Sequence, residues 1–133
     1  MVTGFHWTAW VTLAAIAMYA WVLYNVGKAR GKFGIHAPVC DGPVEFLSVL
    51  RVQANTVEQM VVFFPALWVC TLCYNDVFSA IFGAIWVVAR IMYARGYYTD
   101  PKKRSAGFML SSIAIVALMG GTAFGLIVRS LPI

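Results

Sequence analysis

The chain has 133 residues, 62% of them apolar and only 11% charged, with a formal net charge of +5 and a mean hydropathy of +0.80. Such values lie outside the range of soluble globular domains and point to lipid as the solvent. A span needs about 20 apolar residues, so four spans with short connections take up a single all-α domain over residues 1–133 and leave no room for a soluble one.

The first apolar stretch is expected to be a helix over residues 5–26. It has neither the basic start nor the small-residue cleavage site of a signal peptide, so it is expected to stay in the membrane. Gly27, Gly31, Gly34, Pro38, Gly42 and Pro43 then read as a loop. A second helix over residues 44–74 is polar from Arg51 to Gln59 and apolar from Met60 to Tyr74, with Pro65 as an expected kink. Asn75 and Asp76 make a tight turn before a third helix over residues 77–97. The run from Thr99 to Arg104 separates it from a fourth over residues 105–128, where Gly121 and Gly125 have the spacing that lets helix backbones approach closely.

Basic residues mark the orientation. Lys28, Arg30 and Lys32 are expected in the first connection, and Lys102, Lys103 and Arg104 in the third, while the second has none. The positive-inside rule therefore places those two connections in the cytosol and both termini outside. The charge is a topology signal and a contact for anionic lipid, and no stripe suited to nucleic acid is present. Cys70 and Cys73 form a C-x-x-C in the most apolar part of the second helix with no second ligand pair, so they read as buried small residues, not a metal site. Cys40 is a loop thiol, and His6 and His36 read as interfacial.

The ionisable residues inside the helices carry the functional information, because a charge in mid-span costs roughly 2.5 to 3.5 kcal/mol and normally faces protein or a cavity. At about 100° per residue, Asn55 and Glu58 fall about 40° and about −20° from Arg51, one narrow face, while Gln53 lies about 200° away. Tyr93 and Tyr97 fall about −60° and about −20° from Arg90, again one face, with Trp86 near it. Two polar stripes from two helices can line one cleft. The alternative is an intramembrane salt bridge, Arg51 or Arg90 with Glu58, that only joins helices. Against it stands the excess of cations, since Arg51 and Arg90 face one carboxylate and Arg30 and Arg104 stand at the membrane edge. An anionic ligand would balance them.

Those residues resemble the MAPEG superfamily, membrane-associated proteins in eicosanoid and glutathione metabolism, in its microsomal glutathione transferase and leukotriene C synthase branch. The resemblance rests on Arg51-Val-Gln53-Ala-Asn55-Thr-Val-Glu58 in the second helix and Arg90-Ile-Met-Tyr93-Ala-Arg95-Gly96-Tyr97 in the third. Arg104 follows at the family's distance, and Gly42-Pro43 and Glu45-Phe46 also fit, so the likeness covers residues 5–130. It implies a homotrimer of four-helix membrane bundles with glutathione sites at subunit interfaces, open toward the cytosolic side. Arg51, Asn55, Glu58, Arg90, Tyr93 and Tyr97 would hold the tripeptide, with Arg30 and Gln53 in supporting contacts and Arg104 beside the sulfur. Glu58 would take the amine and the arginines the carboxylates, which agrees with the charge count.

Two positions depart from the family's eicosanoid-synthesising members. Gln59 follows Glu58 where Tyr is common, and Gly31 follows Arg30 where some carry a second Arg. The resemblance so read implies a glutathione transferase that conjugates the thiolate to lipophilic electrophiles, with reduction of lipid hydroperoxides as a second reaction. A non-catalytic lipid-binding relative, a glutathione-dependent isomerase and a small transporter stand beside it as other readings. The short termini suit a bacterial inner membrane better than the endoplasmic reticulum.

Overall fold

The computed structural model describes residues 4–132, so that residues 1–3 and 133 of the expected domain lie outside the described residues. Four helices follow one another: α1 (His6–Phe33), α2 (Val44–Cys73), α3 (Asp76–Thr99) and α4 (Ser105–Ser130), with one 3-10 turn, Pro101–Arg104, between the last two. Each is long and apolar enough to cross a membrane. α3 has 24 residues. At 1.5 Å per residue even this shortest helix is about 36 Å long, more than the ~30 Å hydrocarbon core.

α1 differs most from expectation. It does not stop at Val26 but runs about two turns further to Phe33, taking in Gly27, Lys28, Arg30 and Gly31. A lone glycine costs a helix only about 1 kcal/mol relative to alanine, and the Lys, Ala and Arg between these two are good helix formers. The helix ends at Gly34, whose φ of 66° is left-handed and whose backbone N–H donates to the Arg30 carbonyl. Arg30 and Lys32 in the last turn also complement the negative end of the helix dipole.

α2 continues unbroken through Pro65. In the turn after it, Asn75 Oδ1 accepts from the Phe78 N–H at 2.9 Å and caps α3. Asp76 is not a turn residue but the first residue of α3, and its carboxylate reaches across to the start of α1. There it accepts from the Trp7 N–H at 3.1 Å, the Thr8 N–H at 2.9 Å and the Thr8 hydroxyl at 2.7 Å. One side chain thereby satisfies donors that the first turn of α1 leaves without intrahelical partners.

α3 is the most enclosed helix and packs on the other three, while α2 also packs on α1 and α4. At the centre Trp86 of α3 stacks on Phe63 of α2, ring centroids 3.8 Å apart and planes 6° apart, and Cys70 is fully buried nearby in the same core. Gly121 and Gly125 bring α4 against Cys70, Phe78 and the Cys73 carbonyl, where any Cβ would collide. The bundle thus has a tightly joined end around Asp76 and, at the other end of α3, the basic 3-10 turn.

Candidate functional site

The site begins with Arg90. Its side chain, in the third turn from the end of α3, is completely buried, and Nη2 donates to Asn55 Oδ1 at 2.8 Å and to Thr56 Oγ1 at 3.0 Å on α2. The Tyr93 ring lies beneath the guanidinium, 4.1 Å from centroid to Cζ. Nε and Nη1 are buried with no partner among the described residues. No carboxylate pairs with this cation: among the described residues the one ion pair is Arg51 with Glu58, 3.3 Å apart.

That pair is the salt bridge weighed above as a structural joint, but both side chains are more than half exposed, at 51% and 58%. An exposed pair contributes at most about 1 kcal/mol, which leaves it weak as an intramembrane joint. Asn55 Nδ2 also donates to Glu58 Oε2, at 3.5 Å. The α2 stripe is therefore a connected row from Arg51 through Glu58 and Asn55 to the buried Arg90.

Two glycines set α4 and its leading turn against this row. At Gly96 a Cβ would come 2.6 Å from the Lys103 carbonyl, so only glycine lets the 3-10 turn fold back onto α3. At Gly107 a Cβ would collide with the backbone of Tyr93, so α4 lies directly on the turn that carries that tyrosine. The result places Arg104 with its guanidinium 5.6 Å from the Tyr97 ring centroid and its Nη1 donating to the Pro101 carbonyl at 2.7 Å.

Between these elements lies a cavity of about 390 Å³. Arg51 and Asn55 line it from α2, Tyr93 and Tyr97 from α3, and Arg104, Ser105, Phe108 and Met109 from the turn and α4. A second cavity of about 210 Å³ shares Asn55 and Phe108 with the first and adds Glu58, Gln59, Val62 and Ile115. The first is polar and cationic, and the second continues from it along α2 to the apolar side chains of Val62 and Ile115. Gln59 Oε1 accepts from the Trp86 indole N–H at 3.3 Å, so the indole that the sequence places near Arg90 stacks on Phe63 and orients Gln59.

Six of the expected site residues, Arg51, Asn55, Glu58, Tyr93, Tyr97 and Arg104, line these two cavities, and Arg90 lies directly behind Asn55. Gln53 and Arg30 are not brought there within one chain. Gln53 faces α1, where its amide donates to the Tyr19 hydroxyl at 3.2 Å, as its position on the opposite side of α2 requires. Arg30 is held by the Ile35 and Val39 carbonyls at 3.3 and 2.8 Å and lies over the Phe46 ring. Thr56 and the α4 residues Ser105, Phe108 and Met109 were not expected. Thr56 lies about 140° from Arg51, outside the polar stripe, and only the buried guanidinium opposite it gives it a role.

Fold and site together define an integral, multi-pass membrane protein with a cationic cleft at one end of a four-helix bundle. The chain belongs to the MAPEG family, whose model matches residues 8–124. It is 40% identical over 125 residues to an uncharacterized protein of Synechocystis sp., covering 94% of this chain and 91% of that one. It is also similar to human microsomal glutathione S-transferase 2, at 34% identity over 112 residues, 83% of this chain and 76% of the relative. Mouse leukotriene C4 synthase is 32% identical over 124 residues, with 93% and 83% covered.

Proposed function

We propose that the protein is a membrane-bound glutathione transferase that joins the glutathione thiolate to lipophilic electrophiles. The observation that carries this is Arg90, a fully buried guanidinium with two nitrogens unpartnered among the described residues, behind a cavity lined by two further arginines. A cation so placed is costly unless an anion joins it. Glutathione brings two carboxylates, one ammonium and one thiol, and the cleft offers Arg51, Arg104 and the single carboxylate of Glu58, with Arg90 behind Asn55. Its size falls within the usual range of about 300 to 1,000 Å³ for small-molecule sites.

In this arrangement Arg51 holds a carboxylate, Arg90 adds its charge from behind and fixes Asn55, Glu58 accepts the ammonium N–H groups, and Tyr93 and Tyr97 wall the peptide. Arg104 holds the sulfur as thiolate, the nucleophilic form. The sulfur then forms a C–S bond with an electrophilic carbon, and the electron pair of the broken bond leaves with the departing group or moves onto the substrate. With a lipid hydroperoxide the sulfur instead attacks the terminal peroxide oxygen, the O–O bond breaks to release the alcohol, and a second glutathione displaces water from the resulting sulfenic acid to give the disulfide. The adjoining cavity past Gln59 and Ile115 suits an apolar partner that reaches the sulfur from the bilayer.

A homotrimer with its sites at subunit interfaces accounts for the two residues that one chain leaves outside the cleft, because Arg30 and Gln53 are then available to the site of a neighbouring copy. The family relationship and the cationic connections support a cytosolic opening, and the cyanobacterial relative supports a bacterial membrane. Gly31 and Gln59 favour a general detoxifying transferase over a dedicated eicosanoid synthase.

The test is calorimetric titration of the purified, detergent-solubilised protein with glutathione, followed by thiol-consumption assays with aryl halides, enones and lipid hydroperoxides. Saturable binding and turnover with at least one class are expected. An absence of binding in a folded, monodisperse sample would overturn the assignment.

A further inference from the structure

On the other side of the bundle, α1 and α3 run parallel from the Asp76 end, and cavities open along a seam on this face of α1, one between α1 and α3 and one between α1, the start of α2 and Tyr98. Near the basic connections one of about 230 Å³ is lined by Lys28 and Lys32 of α1, Tyr98 of α3 and Glu45 at the start of α2, among others. Toward the middle of the bundle a second, of about 310 Å³, is lined by Met18, Trp21, Ile91 and Arg95. Trp21 and Tyr98 meet edge to face between the two, centroids 6.0 Å apart, and the Asn25 amide donates to the Tyr98 hydroxyl at 3.5 Å. A ledge of aromatic rings with polar tips thus lies between a chamber with two lysines and a mainly apolar one whose single charged lining residue is Arg95, the side-chain mixture of a membrane interface.

Arg95 is the informative residue. It lies one turn inside the end of α3, exposed on a spanning helix, and its guanidinium makes no hydrogen bond or ion pair among the described residues. An arginine there extends its head toward the headgroup level, which brings it toward Lys28 and Lys32. Glu45 is the acidic side chain lining the chamber. It sits in the first turn of α2, where the helix dipole already favours its charge, and three cations outnumber it.

We infer that this seam holds one anionic diacyl phospholipid, its phosphate among Lys28, Lys32 and Arg95 and an acyl chain against Met18, Trp21 and Ile91. From Lys28 down to Ala14 the seam covers about 21 Å of helix, which matches one leaflet of a bilayer 40–45 Å thick overall. Beyond Ala14 a third, apolar cavity of about 420 Å³ continues along Val11 and Ile81, so the chain end also meets an open groove. A zwitterionic headgroup fits less well, because it adds a cation to the three already present. The lipid lies on the face away from the α2–α4 cleft and is distinct from any substrate.

Native mass spectrometry tests this on the intact protein, solubilised in a non-ionic detergent and supplied with equimolar phosphatidylglycerol and phosphatidylcholine. The wild type is expected to retain phosphatidylglycerol about tenfold over phosphatidylcholine, since each basic residue near a membrane surface favours the anion severalfold. The Lys28→Ala/Lys32→Ala/Arg95→Ala variant should retain the two equally, and the milder Arg95→Gln should lose part of the preference. Lys102→Ala/Lys103→Ala, which removes cations of the third connection, should leave it unchanged. Equal retention by the wild type, as when a second copy covers the seam, overturns the inference. So does a preference that survives the triple substitution or disappears in the Lys102/Lys103 control.

Discussion

Asn55 is the direct partner of Arg90: its Oδ1 accepts from Nη2 at 2.8 Å, and together with Thr56 it is the polar company that the buried guanidinium has among the described residues. A structural cation would be better compensated. Replacing an under-paired buried charge by an apolar residue of similar volume is often neutral or stabilising by about 1–4 kcal/mol. Arg90→Met should accordingly keep or raise the melting temperature in detergent. Asn55→Leu, which strands the cation, should cost about 1–3 kcal/mol. Millimolar glutathione should raise the melting temperature of the wild type but not of Arg90→Met. If Arg90→Met unfolds the protein while Asn55→Leu is harmless, Arg90 is a structural element and not part of the ligand site.

The Asp76 carboxylate, bonded to three donors of Trp7 and Thr8, should matter to stability and not to chemistry. It lies at the end of the bundle remote from Arg104. Asp76→Ala should cost about 1–2 kcal/mol, as the loss of a helix cap does, and should speed hydrogen exchange at the Trp7 and Thr8 amides. Turnover per folded molecule should be unchanged. Unaltered exchange would remove the cross-helix cap from the account.

Much of this was legible in the sequence because lipid imposes a strong pattern. Spans are long and apolar, and a polar stripe such as Arg51, Asn55 and Glu58 stands out against them at helical spacing. The same spacing placed Gln53 on the far side of α2, where it meets Tyr19. What was hidden depends on pairing between helices. Gly107 gives no sign of resting on Tyr93, Thr56 is indistinguishable from any small residue until Arg90 lies opposite it, and Asp76 reads as a turn residue until α1 is beside it. The end of α1 was missed because Gly27 and Gly31 are helix breakers on average, whereas the left-handed Gly34 is the actual stop.

Orientation can be tested with the protein's own thiols. Cys40 lies exposed in the connection between α1 and α2, whereas Cys70 and Cys73 are buried and half-buried in α2. With Cys70 and Cys73 replaced by alanine, a membrane-impermeant maleimide should leave Cys40 unlabelled in intact cells and label it after permeabilisation. A Leu131→Cys probe in a background without the three native cysteines should behave in the opposite way. The reverse pattern would invert the topology and turn the cleft away from the cytosol.

Gln59 should select among electrophiles. The Trp86 indole N–H can only donate, so the Gln59 carbonyl faces it and the amide N–H groups are free for the adjoining cavity. A substrate oxygen that gains negative charge as the sulfur attacks, such as that of an enone, can accept from them. Gln59→Leu should lower kcat/KM for enones about tenfold, the scale of one neutral hydrogen bond, and leave aryl halides and glutathione affinity within about twofold. An equal loss for both substrate classes would point to packing instead.

The final prediction concerns Arg104 and the thiol. Arg104 ends the 3-10 turn, which runs directly into α4 and is capped at its start by Asp100, so the guanidinium is the cationic group an anion meets at this place. Its approach to Tyr97 keeps it over the cavity, whereas Lys102 and Lys103 are exposed beside it and do not line that cavity. With a reference thiol pKa of about 8.5, only about 3% is ionised at pH 7, and lowering the pKa by about two units needs roughly 2.7 kcal/mol. One guanidinium in a partly dry site can supply that. Arg104→Ala should keep glutathione affinity within a few-fold, because the carboxylates are held elsewhere, at Arg51 with Arg90 behind it. It should lose the ultraviolet absorbance of bound thiolate at neutral pH and most of the turnover there. The lowered thiol pKa is the effect removed, so the remaining rate should climb close to tenfold per pH unit up to about pH 8.5, where solvent hydroxide supplies the thiolate. Wild-type turnover should already be nearly flat over that range, and Lys102→Ala and Lys103→Ala should match it. Thiolate absorbance and a flat pH profile persisting in Arg104→Ala would assign the activation to another group.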